Sequence, residues 1–115
     1  MVYKPFDIVV VPFPFTDRIT EKRRPALILS DSEKFSKLTG HYVLAMITSR
    51  KNPSWPLDMV ITDRKRTGLD APSKIRMKLF TLDHRLIIRK IGSLSAKDRQ
   101  SVVERLRDLM PVSVL

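Results

Sequence analysis

The chain contains no cysteine among its 115 residues, and it has only two histidines and three glycines. The absence of cysteine excludes a disulfide framework, a thiolate zinc site and a cysteine nucleophile. The aspartates show no close pair with the spacing of metal ligands, so a two-metal nuclease centre is disfavoured. We therefore expect no metal and no cofactor. No apolar run approaches the roughly 18 residues of a membrane span, which predicts a soluble cytoplasmic protein without a membrane partner.

Positive charge is what the sequence has in excess. It carries 22 Lys and Arg against 12 Asp and Glu, a formal net charge of +10. The length predicts one domain over residues 1–115, and the composition, 43% hydrophobic and 30% charged, is typical of a globular chain. A basic excess of this size predicts a polyanionic partner, either nucleic acid or an acidic protein, although solubility alone would also account for it.

The hydrophobic pattern predicts short strands followed by one helix. Apolar and β-branched runs predict strands over residues 6–11, 25–30, 42–47, 57–61, 74–79 and 86–91, with a helical turn over 31–38. In the strand over 74–79, the alternation predicts an outer face made of Lys74, Arg76 and Lys78. Ser95 is expected to cap a helix over 96–110, whose apolar face comprises Val102, Val103, Leu106, Leu109 and Met110. The predicted fold is mainly β with α (α+β), a small curled β-barrel covered by a C-terminal amphipathic helix.

Two short segments carry groups that suit a phosphate. Arg23 and Arg24 precede Pro25, which forces Arg24 toward an extended conformation and lets its planar fork meet a phosphate at a strand mouth. Thr48, Ser49 and Arg50 follow a hydrophobic strand, where hydroxyls can donate to phosphoryl oxygens. The alternatives are solvated charges at a loop end and hydroxyls that satisfy turn backbone groups.

Acid–base and stacking groups are fewer. His84 is a candidate general acid or base because its ordinary pKa lies near neutrality, and Asp17 is a second candidate. A structural role is the alternative for each. Trp55, Phe13 and Phe15 lie in or next to basic loops, where single-stranded bases stack on aromatic rings, although they can equally fill the core.

Six blocks in order carry a family resemblance: FDIVVVPFPFTD (6–17), KRRPALILS (22–30), ITSR (47–50), residues 68–73, LFTLD (79–83) and IGSLS (91–95). Together they resemble the MazF/PemK toxin family. The resemblance implies an SH3-like curled β-barrel of the PemK/CcdB type, usually a homodimer. It also implies a type II toxin–antitoxin endoribonuclease that cuts single-stranded RNA without a metal, leaving a 2′,3′-cyclic phosphate and a 5′-hydroxyl.

The resemblance places the catalytic residues at Arg24, which would supply a cation, and Thr48, which would supply a neutral hydrogen bond. Candidate RNA-binding residues are Arg23, Ser49, Arg50, Lys51, Arg76 and Lys78. The sequence departs from many members at Phe80, where they carry Arg, and at Lys78, where they carry an acidic residue. The implied partners are single-stranded RNA and a cognate antitoxin whose acidic or amphipathic segment covers the basic groove. The alternatives are a protein-binding toxin of the gyrase-inhibitor type and an RNA-binding module without catalysis.

Overall fold

The computed structural model describes residues 2–13 and 22–112. Over these residues the chain forms a mainly β fold with one long helix at its C-terminal end. In chain order the elements are β1 (Asp7–Phe13), β2 (Lys22–Ile28), a π-helical turn (Ser32–Ser36), α1 (Lys37–Thr39), β3 (His41–Ser49), β4 (Met59–Val60), β5 (Ser73–Asp83), a 3-10 turn (His84–Leu86), β6 (Arg89–Ser93) and α2 (Ala96–Leu109).

The described strands form one antiparallel sheet in the order β4-β5-β3-β2-β1-β6. The sheet curls into a half-barrel, which confirms the predicted fold class. Among the described strands, the neighbouring pairs β1–β2, β2–β3 and β4–β5 are consecutive in sequence. The pairing of β6 with β1 is instead a contact between the two ends of the chain.

Both faces of the sheet are buried, as the apolar run of β1 predicts. Ile8 belongs to one core, which includes Leu94 and Val102 from the C-terminal region. Val9 points to the opposite face, where a second core contains Tyr3 and Tyr42. Successive side chains of a strand point to opposite faces, so one short run can supply both cores.

Helix α2 begins and ends close to its predicted bounds. The Ser95 side chain accepts a hydrogen bond from the Asp98 backbone N–H at 3.2 Å, which confirms the predicted cap. Val102 is fully buried, but Leu109 and Met110 are 37% and 48% exposed. The predicted apolar face therefore packs on the core as far as Leu106, and its last two residues, Leu109 and Met110, do not follow it.

Asp98 joins this helix to the segment that follows β4. Its side chain is fully buried, and its carboxylate accepts hydrogen bonds from the Thr62 backbone N–H at 3.0 Å, the Thr62 hydroxyl at 2.8 Å and the Asp63 backbone N–H at 3.1 Å. These bonds satisfy both the buried carboxylate and two backbone donors. Asp98 thereby fixes the start of the segment over 62–72.

Pro12 does not end the first strand as predicted, whereas Arg24 before Pro25 is extended as predicted. The first strand was predicted to stop at residue 11, yet β1 continues through Pro12, which is opposite Arg23, to Phe13. The pairs between β1 and β6 stop at Val10, so Pro12 lies where one side of β1 is an edge and a missing N–H is tolerated. The start of β2 at Lys22 likewise places both loop arginines inside a strand.

The predicted basic outer face over 74–79 is wrong in part. Strand β5 is longer than predicted, and a bulge interrupts it, because Ala45 is paired with Leu79 whereas Met46 is paired with Arg76. Lys74 is only 3% exposed, Arg76 is partly buried, and Lys78 alone of the three basic residues is exposed.

Three further bounds differ from the prediction. The strand predicted over 57–61 is reduced to the two residues of β4. The strand predicted over 86–91 begins only at Arg89, after the 3-10 turn. The helical turn over 31–38 is present, and Asp31 caps it through the Lys34 backbone N–H. In the described part of the chain, no helix has the length and apolar character needed to cross a membrane.

Candidate active site

A cleft of about 590 Å³ opens where β2 and β3 separate. One side is formed by the first residues of β2 and the last residues of β3, and the other by residues 68–73 and the first part of β6. The polar and charged side chains that line it are Arg23, Arg24, Thr48, Ser49, Asp70, Ser73, Arg89 and Lys90.

The separation of these two strands explains how residues far apart in sequence meet. The β2–β3 pairs run from Ile28 and Leu44 to Ala26 and Met46 and then stop. The next residue of β2 is Pro25, which has no N–H to donate to a ladder. Extending the same register by two residues puts Arg24 across from Thr48, with both side chains on one face.

The Arg24 guanidinium lies partly inside this cleft. Its Cζ atom is 5.1 Å from the centre of the Phe13 ring, which supports the planar group from the side of β1. Its Nε atom is buried and, within the described residues, has no hydrogen-bond partner. A buried N–H without a partner is costly, so Arg24 is held in this position at some expense of stability.

The Thr48 hydroxyl is held by Asn52. The Asn52 side-chain amide donates to Thr48 Oγ1 at 2.6 Å. The Asn52 backbone is itself fixed, because its carbonyl accepts from Lys74 Nζ at 2.6 Å and its N–H donates to the Ser49 carbonyl at 3.1 Å. Since the hydroxyl oxygen accepts from the amide, its own proton is available to a ligand in the cleft.

Two glycines set the far wall of the cleft. A Cβ atom on Gly68, whose φ is +73°, would lie 2.1 Å from the Ile91 carbonyl oxygen, and one on Gly92 would lie 2.3 Å from the Arg66 carbonyl oxygen. The Ser93 N–H also donates to the Arg66 carbonyl at 2.9 Å. The segment over 66–68 is therefore in direct backbone contact with β6.

The cleft is electropositive. Four of its lining side chains are cationic and one, Asp70, is a carboxylate. Lys90 forms an ion pair with Asp7 at 3.2 Å, whereas Arg23 and Arg89 form none with any residue that the structure describes. Arg89 and Lys90 were not predicted as site residues. The basic pattern of their segment was visible in the sequence, but the pairing of β6 with β1 that brings them here was not.

A second cavity of about 200 Å³ also includes Arg24 and Thr48, together with Phe13, Met46, Ile47, Trp55, Arg76 and Lys78. Arg76 is not a free cation there, because its Nε and Nη2 atoms donate to the Asp58 carboxylate at 3.2 and 3.0 Å. Lys74 Nζ lies 3.4 Å from the same carboxylate. Burial raises the pKa of Asp58, but hydrogen bonds from Arg76, the Trp55 backbone and Lys74 outweigh it, so this pKa is held below its ordinary value.

The remaining candidates for RNA binding lie beside the main cleft. Ser49 lines both the cleft and an adjoining hollow of about 450 Å³, which also contains Arg50 and Lys51. The Arg50 N–H donates to the Pro72 carbonyl at 3.1 Å, and the Lys51 N–H to the Ser49 hydroxyl at 3.2 Å. The predicted basic residues after β3 thus extend the electropositive surface away from Arg24.

Of the two acid–base candidates, the structure describes only His84, and it does not bring that residue to this site. His84 is exposed at a hollow lined by Ser36, Gly40 and Tyr42 among others. His84 follows Asp83, which is opposite His41 at the start of β3. Thr48 lies seven residues beyond His41 on that strand, which places it roughly 23 Å from His41 along the extended chain. The structure therefore gives no geometric support for His84 as the acid or base beside Arg24. Asp17 lies outside the described residues, as does Phe15.

Sequence comparison decides the family. A family model described as PemK-like, MazF-like toxin of type II toxin-antitoxin system matches residues 4–110. The chain belongs to this toxin family. The resemblance found in the sequence is thereby confirmed, whereas a search of the curated proteins gave no match.

Solved structures of PemK/MazF-like toxins share the fold. A MazE-MazF complex from Deinococcus radiodurans superposes with a TM-score of 0.76 at 22% identity, covering 96% of this chain and 98% of that chain. MazF alone from the same organism gives 0.74 at 22% identity, with the same coverage. An endoribonuclease in complex with its cognate antitoxin from a mycobacterial species gives 0.72 at 11% identity, covering 96% and 94% of the two chains.

Proposed function

We propose that this PemK/MazF-like toxin is an endoribonuclease that cleaves single-stranded RNA at selected sequences without a metal ion. The observation that carries the proposal is the convergence of Arg24 and Thr48 on one electropositive cleft. The similarity in fold to a protein named as an endoribonuclease supports the same reading.

In the proposed reaction, the 2′-oxygen of one ribose attacks the adjacent phosphorus and the bond to the 5′-oxygen breaks. The 2′-hydroxyl loses its proton, the 5′-oxygen gains one, and the products are a 2′,3′-cyclic phosphate and a 5′-hydroxyl. Negative charge builds on the non-bridging oxygens as the new bond forms. Arg24 stabilises this charge electrostatically, and Thr48, oriented by Asn52, donates a hydrogen bond to it. The guanidinium supplies the positive charge that a metal supplies in other nucleases.

The remaining charged residues bind and position the RNA. Arg23 and Arg89 attract the backbone within the cleft, and Arg50 and Lys51 continue this surface beyond Ser49. We further propose that the protein acts in the cytoplasm as a homodimer. A cognate antitoxin would inhibit it by placing an acidic or amphipathic segment over the same basic cleft, because the cleft attracts carboxylates as well as phosphates.

The test is cleavage of a long RNA by the pure protein in EDTA, with the product ends identified. We expect cut RNA with cyclic phosphate and 5′-hydroxyl ends. Arg24→Ala should lower the cleavage rate about 100- to 1,000-fold, the loss typical of a removed transition-state donor, with an unchanged unfolding midpoint. Arg107→Ala, which removes the same charge from an exposed site on α2, is the matched control and should cleave normally.

Two results would overturn the proposal. Full activity in Arg24→Ala would remove its proposed role. Salt-sensitive binding of RNA that is recovered intact would instead support an RNA-binding module without catalysis.

A further inference from the structure

Trp55 is the only tryptophan in the chain, and the function proposed above does not use it. It lies in the connection between β3 and β4, and it is 45% exposed. An exposed single aromatic residue needs no explanation by itself. What distinguishes this one is the number of groups that hold it and the cavity it lines.

The backbone of the connection is fixed before and after Trp55. The Trp55 backbone N–H donates to the Asp58 carboxylate at 2.9 Å, and the Asp58 backbone N–H donates to the Trp55 carbonyl at 3.2 Å. Arg76 Nη2 donates to the Pro53 carbonyl at 2.7 Å. Pro56 follows the tryptophan directly and restricts the backbone further.

Two cations lie against the ring. The Arg76 guanidinium is 4.7 Å from the ring centre and Lys78 Nζ is 5.8 Å from it. Asp58 holds the guanidinium of Arg76 with two hydrogen bonds. Arg76 therefore orients the indole and is not available to bind an RNA phosphate. The exposed Lys78 forms no ion pair within the described residues, so its charge is available to an RNA backbone.

The second cavity joins this ring to the proposed reaction centre. Trp55 shares its volume of about 200 Å³ with Arg24 and Thr48. A group that enters beside Trp55 therefore lies next to the residues proposed to contact the scissile phosphate. In a nucleotide a flat base and a phosphate are covalently joined, so a single ligand can fill both positions.

We propose that Trp55 is a stacking platform for a nucleobase adjacent to the scissile phosphodiester. This inference rests on the proposed function, because it assumes that the cleft binds single-stranded RNA. A preorganised ring loses little conformational entropy when a base stacks on it. Stacking on an aromatic ring accepts any base, so Trp55 contributes affinity and position, and base selection falls to other groups.

The experiment uses the fluorescence of this single tryptophan in the full chain. The probe is a mixed-sequence, single-stranded oligonucleotide with 2′-O-methyl groups, which cannot be cleaved by 2′-oxygen attack. Inorganic polyphosphate, which has the charge but no bases, is the control ligand. We expect saturable quenching by the oligonucleotide and little change with polyphosphate. Equal quenching by both ligands would overturn the proposal, because charge alone would then account for the signal.

Substitutions give an independent measurement of affinity through the anisotropy of a 5′-labelled oligonucleotide. Trp55→Leu should bind roughly 5- to 150-fold more weakly, the range expected for one lost stacking contact. Trp55→Phe, which keeps a ring, should recover most of the affinity, and Arg107→Ala should match the wild type. If Trp55→Leu binds as tightly as the wild type, the platform is refuted. If Trp55→Leu and Trp55→Phe bind the oligonucleotide equally weakly, the platform is also refuted, because an aromatic ring at this position would not restore affinity.

The outcomes separate this inference from the function on which it rests. One outcome would overturn the nuclease assignment and keep the stacking site. In it, the oligonucleotide quenches the wild-type tryptophan and binds Trp55→Leu weakly, but the wild type does not cleave unmodified RNA. If Trp55→Leu both binds the oligonucleotide and cleaves RNA like the wild type, the stacking site is overturned and the nuclease assignment is kept. If an acidic peptide changes the tryptophan fluorescence and no RNA does, the inference is overturned and this surface is assigned to a protein partner.

Discussion

The hydrogen bond from Asn52 to Thr48 leads to a prediction about the direction in which the Thr48 hydroxyl proton points. At 2.6 Å, the amide donates to Thr48 Oγ1 and leaves the hydroxyl proton free for the phosphate. Asn52→Asp replaces this donor with a carboxylate of nearly the same shape. A carboxylate only accepts, so it would draw the Thr48 proton toward itself and away from the RNA.

The expected magnitudes differ between two substitutions at this position. Asn52→Ala removes one exposed hydrogen bond, worth about 1 kcal/mol, and should lower kcat about fivefold. Asn52→Asp reverses the hydroxyl and should approach the loss caused by Thr48→Val, which we expect at about 100-fold or more. Neither variant should change the unfolding midpoint substantially, because the Asn52 side chain is exposed.

The assay is single-turnover cleavage of a fluorogenic RNA between pH 4.5 and 8, expressed as the ratio of variant to wild-type rate. A protonated carboxyl can donate again, so the ratio for Asn52→Asp should rise by up to about tenfold per unit of acidification, toward the ordinary aspartate pKa near 4. The ratio for Asn52→Ala should stay flat. In a Thr48→Val background, Asn52→Asp should have no further effect. Wild-type activity of Asn52→Asp at pH 7 would refute the proposed orientation of the hydroxyl.

Two further predictions concern buried carboxylates that support the site. Asp98→Ala leaves the Thr62 and Asp63 N–H groups without their acceptor and should lower the free energy of unfolding by about 2–4 kcal/mol in urea titrations; an unchanged midpoint would show that water replaces the carboxylate. The folded-state pKa of Asp58 is depressed, so its contribution to stability is complete above its unfolded pKa near 4 and is lost as pH falls through the lower folded value. Asp58→Asn should therefore cost about 3 kcal/mol at pH 7, because two largely buried cations lose their partner, and should flatten the acid limb of a stability-versus-pH curve; an equally steep limb in the variant would contradict this assignment.

Local patterns in the sequence were sufficient for much of the fold. The run around Val9 requires a strand buried on both faces, and the spacing around Val102 with Ser95 before it requires a capped helix. Lys74 shows where such reasoning fails. Alternation placed it on a solvent face, yet a hydrogen bond to the Asn52 carbonyl and an ion pair with Asp58, sixteen residues earlier, hold it inside. Both depend on the pairing of distant strands, which a local pattern does not contain.

The candidate site divides in the same way. The side chains of Arg24 and Thr48 were identified through their chemistry and a family resemblance, but only the β2–β3 register shows why they meet. Arg89 was missed because its place in the cleft depends on β6 pairing with β1 across nearly the whole chain. Asn52 was missed because its role requires a turn that brings an amide back to a hydroxyl four residues earlier.

The contact between Gly68 and the strand that contains Gly92 has a consequence for engineering. Main-chain atoms, not side chains, act as the spacer that sets the aperture on this side, and neither glycine has room for a methyl group. Exchanging the exposed neighbouring side chain of Asp70 would thus alter the chemistry presented to a ligand at constant width. Libraries that seek a changed ligand preference can vary Asp70 and should leave both glycines and Leu69 untouched, because Leu69 packs against the core.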